Sequence, residues 1–286
     1  MDFSAGRVIA SQQFERMSKG INHSFGIVAG GVVSVSANIT VAISAVAARD
    51  YVINGAVQTT AYAGGTQALT TAHASLPRID SIYIDTSGAV GKVDGTAAAV
   101  PKPPEINDTT QLLLANVYVA ANDTTLAASD IEDKRQLITP KTFQYQPHLN
   151  TGTGTLSSGT SPFHLMSLGN ASTAGASLLS WVAPSTFIGF RKAVARYWTV
   201  ETGVARLSFS ANWGAIGESK TNDSDTIAGA DVNVTASVVG EYSLIDGLTN
   251  LAAGDSVGMA FSRDGNHAND TITTFYLTNY LFEYYG

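Results

Sequence analysis

The segment from Arg263 to Asp270 holds the densest group of side chains that could do chemistry. Four of its residues carry oxygen atoms of the kind that Ca²⁺ prefers: Asp264, Asn266, Asn269 and Asp270. Their spacing is not that of an EF-hand loop. The alternative is a turn in which Asx side chains bond backbone amides and Arg263 pairs with an acidic residue. We favour this structural interpretation over an ion site.

The five histidines form no metal-ligand pattern: His23, His73, His148, His164 and His267. None belongs to a His-Glu-x-x-His motif, and no two are close in sequence, so a zinc site would need ligands from separated loops. The chain has no cysteine, which excludes disulfides and thiolate metal sites. We therefore predict no metal ligands and no cofactor.

Nucleotide-binding motifs are also missing from the sequence. There is no Walker loop and no Gly-x-Gly-x-x-Gly after a strand. Two carboxylates for glycoside hydrolysis could come from distant parts of the chain, but nothing singles out such a pair. The sequence predicts no catalytic and no cofactor-binding residues, and we expect that the protein is not an enzyme.

Eight aromatic residues of the C-terminal half could bind a ligand or form a core: Trp181, Tyr197, Trp198, Trp213, Tyr276, Tyr280, Tyr284 and Tyr285. As core and subunit-interface residues they need no ligand. As an exposed platform they would stack on surface sugars, because flat apolar rings match the CH faces of pyranoses. Trp213 shares parity with Leu207 and Phe209, which predicts a core position. The polar segment from Gly217 to Asp231 is predicted to be a loop suited to adjustable recognition.

Composition favours an all-β protein. Charged residues make up 14% of the chain, against about 25% in ordinary soluble domains. The net charge is -7 and neither half is basic, so we expect no nucleic-acid partner. No apolar run of membrane-spanning length occurs, which predicts no membrane insertion. The first residues do not resemble a signal peptide, so we expect synthesis in the cytoplasm.

The last strands show the clearest alternation. Val257, Met259 and Phe261 share one face of a predicted half-buried strand. The terminal strand contains two apolar sets of opposite parity: Phe275 and Leu277, then Tyr280, Phe282 and Tyr284. This phase change near Asn279 predicts a β-bulge, an extra residue that reverses the inward face.

The chain is predicted to form two β domains. Residues 1–140 are expected to be a β-rich N-terminal domain with a short helix over residues 11–21. Residues 141–162 are Gly/Ser/Thr-rich and are expected to be a linker. Residues 163–286 have the strand pattern of a jelly-roll-like β-sandwich.

Several short motifs occur in one order in the first domain: Pro77–Asp80, Gly95–Ala98, the prolines between 101 and 104, Leu114–Val119 and Ile131–Arg135. In this order they resemble the N-terminal region of tail-fibre and baseplate-associated proteins of tailed bacteriophages. The resemblance covers about residues 5–137. It implies that this domain attaches to other virion proteins of the baseplate, tail or capsid.

A second series lies in the C-terminal domain: Trp181–Pro184, Val194–Val200, Leu207–Trp213, Ala253–Asp255, Arg263–Gly265, Asn269–Thr271 and Phe282–Tyr284. This series is similar to a jelly-roll-like domain at the C-terminal ends of phage virion proteins, including tail and head fibres. The resemblance implies a homotrimer, structure and assembly, and in some cases binding to a host cell-surface glycan or protein.

The resulting hypothesis is a structural virion protein of a tailed phage, with a distal jelly roll for host-surface attachment. One alternative is a capsid-decorating head-fibre protein, which would use the same distal domain. A glycan-degrading enzyme is the least favoured alternative. In the first two cases the protein would be located in the virion.

Overall fold

The structure is a computed structural model that describes residues 25–147, 155–157, 165–168, 173–177, 181–218 and 223–286. The helix expected over residues 11–21 lies outside these described residues. The chain divides into two compact units, residues 1–140 and 141–286, and both are built from antiparallel β-sheets. The expected all-β sandwich fold is confirmed. Within the described ranges, no helix has the length and apolar character needed to cross a membrane.

The first unit contains these strands: β1 (Gly26–Ile27), β2 (Val33–Val35), β3 (Thr40–Ile43), β4 (Tyr51–Ile53), β5 (Ala56–Val57), β6 (Gly65–Ala68), β7 (Arg78–Asp85), β8 (Val90–Val93), β9 (Gln111–Val119) and β10 (Ile131–Asp133). They form three sheets with the orders β1-β4-β5, β2-β3-β6 and β10-β9-β7-β8. Asn54 and Gly55 have positive φ angles of 50° and 76°, the left-handed conformation that a tight hairpin turn requires. One apolar core is shared by residues of all three sheets, including Ile27, Val41, Tyr51, Ile82 and Leu114.

The second unit contains β11 (Lys141–Tyr145), β12 (Thr155–Ser157), β13 (Leu165–Leu168), β14 (Thr173–Ser177), β15 (Trp181–Val182), β16 (Gly189–Thr199), β17 (Gly203–Gly214), β18 (Asp223–Val234), β19 (Val239–Ser243), β20 (Ser256–Asp264) and β21 (Phe275–Tyr285). A six-stranded sheet has the order β12-β13-β21-β16-β19, with β11 also paired to β21. A five-stranded sheet has the order β14-β20-β17-β18, with β15 paired to β20. The two sheets enclose one core.

The core of the second unit follows the alternation of its strands. Leu207, Phe209 and Trp213 of β17 are buried together with Phe261 of β20, as their shared parity predicts. On β21 the predicted bulge is confirmed: Arg196 pairs with Asn279 and Tyr197 with Leu277, which leaves Thr278 as the extra residue. Residues on both sides of the bulge therefore face the core in spite of their opposite parity.

The predicted start of the linker at residue 141 is too early. Lys141–Tyr145 is strand β11, and Phe143 pairs with Phe282 of β21 with ring centroids 4.8 Å apart. Phe143 and Tyr145 alternate with polar residues and pack against the sandwich core, so this segment gains apolar contacts that a linker would not have. Within the Gly/Ser/Thr-rich part, β12 pairs with β13.

The prediction of a polar loop from Gly217 to Asp231 is also wrong over most of that range. Strand β18 begins at Asp223 and pairs with β17. The segment lacks apolar alternation because β18 is the last strand of its sheet within the described ranges, and most of its side chains are exposed. An edge strand of this kind can consist of polar and small residues.

Tyr280 provides a test of the core. Its ring is fully buried, and in the described part of the chain its hydroxyl is the buried side-chain polar atom without a hydrogen-bond partner. We expect Tyr280→Phe to raise the free energy of unfolding by about 1 kcal/mol, because it removes an unpaired polar group from the core. Urea denaturation of the full chain measures this change.

The matched control is Tyr51→Phe in the first unit. The Tyr51 hydroxyl donates a 2.9 Å hydrogen bond to the carbonyl of Thr60, so its loss should destabilise the protein by about 1 kcal/mol. A destabilised Tyr280→Phe variant would contradict the assignment of an unpaired hydroxyl.

Candidate binding surface

A buried ion pair organises the segment that the sequence marked as a candidate ion site. Arg263 donates from Nη2 to Asp270 Oδ1 at 2.6 Å and from Nε to Oδ2 at 2.9 Å, and both side chains are fully buried. Its Nη1 donates to the carbonyl of Leu168 at 2.9 Å, and its Nη2 also bonds the carbonyl of Ile272. The predicted pairing of Arg263 with an acidic residue is confirmed, and the partner is Asp270.

The other oxygen-bearing side chains of this segment have separate roles. The amide of Asn266 donates to Asp264 Oδ1 at 3.3 Å, and Asn269 Nδ2 donates to Asp231 Oδ2 at 2.6 Å. Among the residues that the structure describes, no group of three or more acidic or imidazole side chains could hold a metal ion. The Arg263–Asp270 pair and the hydrogen bond of the Asn266 amide to Asp264 match the turn interpretation.

Asp270 is held as a carboxylate. Burial raises the pKa of Asp270, but the hydrogen bonds from Arg263 and from two backbone amides outweigh this effect and leave the pKa below its usual range. The folded state therefore binds this proton less tightly than the unfolded state does. Asp270 contributes stability above its ordinary pKa, and this contribution is lost as the pH falls through the folded-state value.

Two of the described histidines bind neighbouring backbone. His73 Nδ1 accepts hydrogen bonds from the amides of Ser75 and Leu76 at 3.2 and 3.1 Å. His267 Nδ1 accepts one from the amide of Asn269 at 3.2 Å. The other three lie outside the described residues: His23, His148 and His164. The described histidines therefore act as turn-stabilising acceptors.

The structure separates the eight aromatic candidates into two groups. Five are buried: Trp181, Tyr197, Trp213, Tyr280 and Tyr285. Tyr284 is partly buried and packs against the sandwich core. Trp198 and Tyr276 belong to the outer face of the six-stranded sheet, since their neighbours Tyr197 and Phe275 face the core.

Trp198 and Tyr276 form the centre of an apolar patch on this outer face. They are cross-strand partners, and their rings stack with centroids 5.2 Å apart and an interplanar angle of 23°. Val239 pairs with Trp198 from the other side and is 60% exposed. We define the apolar patch as Trp198, Tyr276, Val239 and two further exposed valines at the same end of the sheet, Val200 and Val238.

A tight turn before β19 positions two valines of the patch. The amide of Ser237 donates to the carbonyl of Thr199 at 2.8 Å, which ties the turn before β19 to the end of β16. Ser237 has a φ of 60°, an uncommon left-handed conformation for this residue type. The turn brings Val238 and Val239 to the end of β16, where Trp198 and Val200 lie.

A row of polar side chains crosses the same face next to the patch. Glu241 accepts hydrogen bonds from Arg196 Nε at 3.0 Å and is 2.7 Å from Lys192 Nζ. Asn279 Nδ2 donates to Gln144 Oε1 at 3.1 Å. We call these five residues the polar row. Arg196 and Trp198 are two residues apart on β16, so the polar row and the aromatic pair are about 7 Å apart.

Two irregularities of strand pairing enlarge this polar surface. The pairing of β16 with β21 shifts between Phe190 and Lys192, and Arg191 at the shift bonds Glu283. The second shift is the bulge at Thr278, whose hydroxyl donates to the carbonyl of Arg196 at 3.0 Å. Each bulge inserts one extra residue, and its side chain is added to those that regular alternation would place on the sheet.

Charge on this face is partly balanced within the chain. Burial raises the pKa of Glu241, but the hydrogen bonds from Lys192 and Arg196 outweigh this effect and lower its pKa. Glu241 is therefore ionised at neutral pH and neutralises part of the charge of its two partners. The polar row presents both donors and acceptors.

The sequence indicated part of this surface. Parity placed Trp213 in the core, and the same reasoning from Tyr197 would have placed Trp198 on the outside. Val238 and Val239 were not singled out, although two consecutive valines after the polar turn residues are a detectable signal. The cross-strand contact of Trp198 with Tyr276 joins residues far apart in sequence, and it needs the register of β16 with β21.

No family model matches the chain, and no curated protein matches it. Solved structures with some likeness include the Gx strain of infectious bursal disease virus, at 10% identity and a TM-score of 0.30, over 73% of this chain and 53% of that chain. The tandem CBM22 domains of Paenibacillus barcinonensis Xyn10C match at 10% identity and a TM-score of 0.27, over 75% of each chain. The infectious bursal disease virus VP2 subviral particle matches at 10% identity and a TM-score of 0.26, over 73% of this chain and 52% of that one. The chain thus spans about half the length of the two viral chains. Likeness at this level carries no argument about function.

The buried ion pair gives the first stability prediction for this region. Asp270→Asn leaves the guanidinium of Arg263 buried without an anion, and we expect the free energy of unfolding to fall by about 3–5 kcal/mol. Urea unfolding at pH 7 measures it. Asp264→Asn is the matched control on the same segment, and it should change stability little because this carboxylate is not part of the buried pair. An equal loss in both variants would contradict the central role of the pair.

The pH dependence gives an independent prediction. In the wild-type protein, stability should fall as the pH drops below about 4, the usual range of aspartate, because Asp270 must then take up a proton in the unfolded state and finally in the folded state. Asp270→Asn cannot titrate, so its free energy of unfolding should depend less on pH in this range. Urea midpoints between pH 3 and 7 check this, and parallel pH profiles for the two proteins would contradict it.

Proposed function

We propose that the chain is a structural subunit of a tailed-phage virion, a tail-fibre or baseplate-associated protein that attaches the particle to the host surface. Residues 1–140 bind other virion proteins, and the sandwich of the second unit is the distal domain. The active species is a homotrimer. The proposal assigns no catalysis to the chain.

The apolar patch is the observation that carries this proposal. The stacked tryptophan and tyrosine rings and Val239 form an exposed apolar area on the outer sheet face, and the exposed Val200 and Val238 lie at the turn beside it. Clustered exposed apolar groups with a polar surround mark contact sites on protein surfaces. The patch lies on paired strands of a sandwich, which hold it rigidly for binding.

The motif series of the first unit supports the phage resemblance, because its residues form one tertiary structure. Arg78 pairs with Asp80 at 2.9 Å in the buried interior, and the amide of Gly95 donates to Asp80 Oδ1 at 2.9 Å. A Cβ at residue 95 would lie 1.9 Å from the carbonyl oxygen of Ile79, so only glycine fits there. Motifs that are separate in sequence thus meet at one point of the fold.

The second motif series supports the proposal in the same way. Arg263 and Asp270 come from two of its motifs and form the buried pair, and Trp181 packs against Phe143 and Phe187 in the core. The residues that carry the resemblance therefore have structural roles in both units.

Three copies would increase the strength of attachment. A single patch on one sheet face is small, and contacts of this size are weak on their own. Linking several identical sites raises the apparent affinity without any new contact. A homotrimer is thus a suitable form for a protein that holds a particle on a cell surface.

Light scattering on the purified full chain tests the assembly. We expect a molar mass three times that of the 29.8 kDa chain at micromolar concentration. A well-folded monomer under these conditions would contradict the trimeric form of the proposal. Circular dichroism with a β-sheet spectrum is the control that the sample is folded.

Immunogold electron microscopy tests the location on the particle. Antibodies raised against the second unit should label the tail fibres or the baseplate of phage particles that carry this protein. Label confined to the capsid surface would favour a head-fibre protein and contradict the tail location. Particles incubated with pre-immune serum are the control.

A further inference from the structure

We infer that the outer face of the six-stranded sheet is a binding site for an uncharged glycan, with Trp198 and Tyr276 contacting the sugar ring and the polar row contacting its hydroxyls. This inference rests on the proposed attachment function and names the class of receptor. It assigns to Trp198, Arg196 and Glu241 a role in binding that their fold position alone does not require.

The aromatic pair supplies the apolar contact. Both rings are partly exposed on the outer face, whereas five of the eight aromatic candidates are buried and Tyr284 packs against the core. The CH groups of a sugar ring are an apolar surface that packs on aromatic side chains, and such rings lose little conformational entropy on binding. The exposed side chain of Val239 extends the apolar contact beyond Trp198.

The polar row supplies hydrogen bonds of the kind that sugar hydroxyls need. Guanidinium, carboxylate and amide groups are planar and can each bond two neighbouring hydroxyls, as donors or as acceptors. Glu241 is fixed by Arg196 and Lys192, and Asn279 is fixed by Gln144. These mutual bonds hold the groups in place before the ligand arrives, which reduces the entropy cost of binding.

The spacing of the two rows matches one ligand that contacts both. The rows are two residues apart along the strands, about 7 Å. A sugar ring on the aromatic pair would place its hydroxyl substituents toward the polar row. Since both rows continue across neighbouring strands, consecutive sugars of a chain could occupy adjacent positions.

The charges of the polar row favour an uncharged glycan over a protein surface. The side chains of Arg196, Lys192 and Glu241 are 32–35% exposed and hydrated. A flat protein surface would remove this water and leave charges to be desolvated, at a cost that often exceeds the gain. Sugar hydroxyls can replace the water one for one. Glu241 neutralises one of the two cations, so the row keeps one net positive charge and attracts an anionic ligand less strongly than two unpaired cations would.

An array of neutral and acidic bacterial surface oligosaccharides tests the inference with the full-length chain. We expect binding to neutral oligosaccharides, with an affinity for the best one that falls at least about tenfold in Trp198→Ala, the effect of losing a central aromatic contact. Trp198→Phe should retain most of the binding, because it keeps a ring at this position. Calorimetry with the best oligosaccharide gives the affinities.

Two further variants test the contribution of the polar row and the location of the site. Glu241→Gln keeps the size of the side chain but removes the charge that holds Arg196 and Lys192, so binding should weaken while the fold remains. Val100→Ala is the matched control, since Val100 is 81% exposed in the first unit, and its binding should equal that of the wild type.

Three results would overturn the inference. One is a full-length trimer that binds no neutral oligosaccharide of the array, which would leave the proposed attachment function in place with a receptor of another class. The second is binding restricted to acidic oligosaccharides. The third is a fall in molar mass from trimer to monomer in Trp198→Ala, which would show that the patch is a contact between copies of the chain. Failure of the attachment function itself would appear separately, as the absence of label on virions.

Discussion

The buried guanidinium of Arg263 is the interaction on which the geometry of the second unit depends. Arg263 lies on β20 of the five-stranded sheet, and it bonds the carbonyl of Leu168 on β13 of the six-stranded sheet. It also holds Asp270 and the carbonyl of Ile272, which immediately precede β21. One planar cation with five donors thus joins the two sheets and sets the point at which the chain enters its final strand. Tyr276 follows four residues after Ile272, so the aromatic pair on the outer face depends on a pair buried inside.

The bulge at Thr278 determines which side chains of β21 lie on the outer face of the sheet. Without the extra residue at Thr278, alternation would place either Leu277 or Tyr280 on the wrong side of β21. With it, Tyr276 faces outward while Tyr280 and Phe282 face the core. The polar row benefits as well, because Asn279 takes the outward position next to Arg196. The same irregularity therefore preserves the core and builds the outer face, which is a general use of bulges near functional surfaces.

The sequence predicted what depends on local pattern and missed what depends on register. The bulge near Asn279 and the core position of Trp213 both follow from parity, and both were predicted correctly. Strand β18 was mistaken for a loop because an edge strand needs little apolar alternation, and β11 was mistaken for a linker because its contact with β21 involves a strand far away in sequence. The candidate site was likewise only partly predictable from local pattern. Trp198 and Tyr276 could each be marked as aromatic candidates, but their stacking requires the pairing of β16 with β21.

The edges of the sandwich explain why contact is expected on a face instead of by strand addition. Strand β18 is the last strand of its sheet in the described ranges, and an unprotected edge of twelve residues would pair with other strands. It carries Asp223, Asp225 and Asp231, and its pairing with β17 shifts between Leu207 and Phe209. Acidic side chains and a bulge both oppose the addition of another strand. Backbone pairing at this edge is therefore disfavoured, and the proposed recognition is assigned to side chains on the outer face of the other sheet, where aromatic, aliphatic and hydrogen-bonding groups occur together.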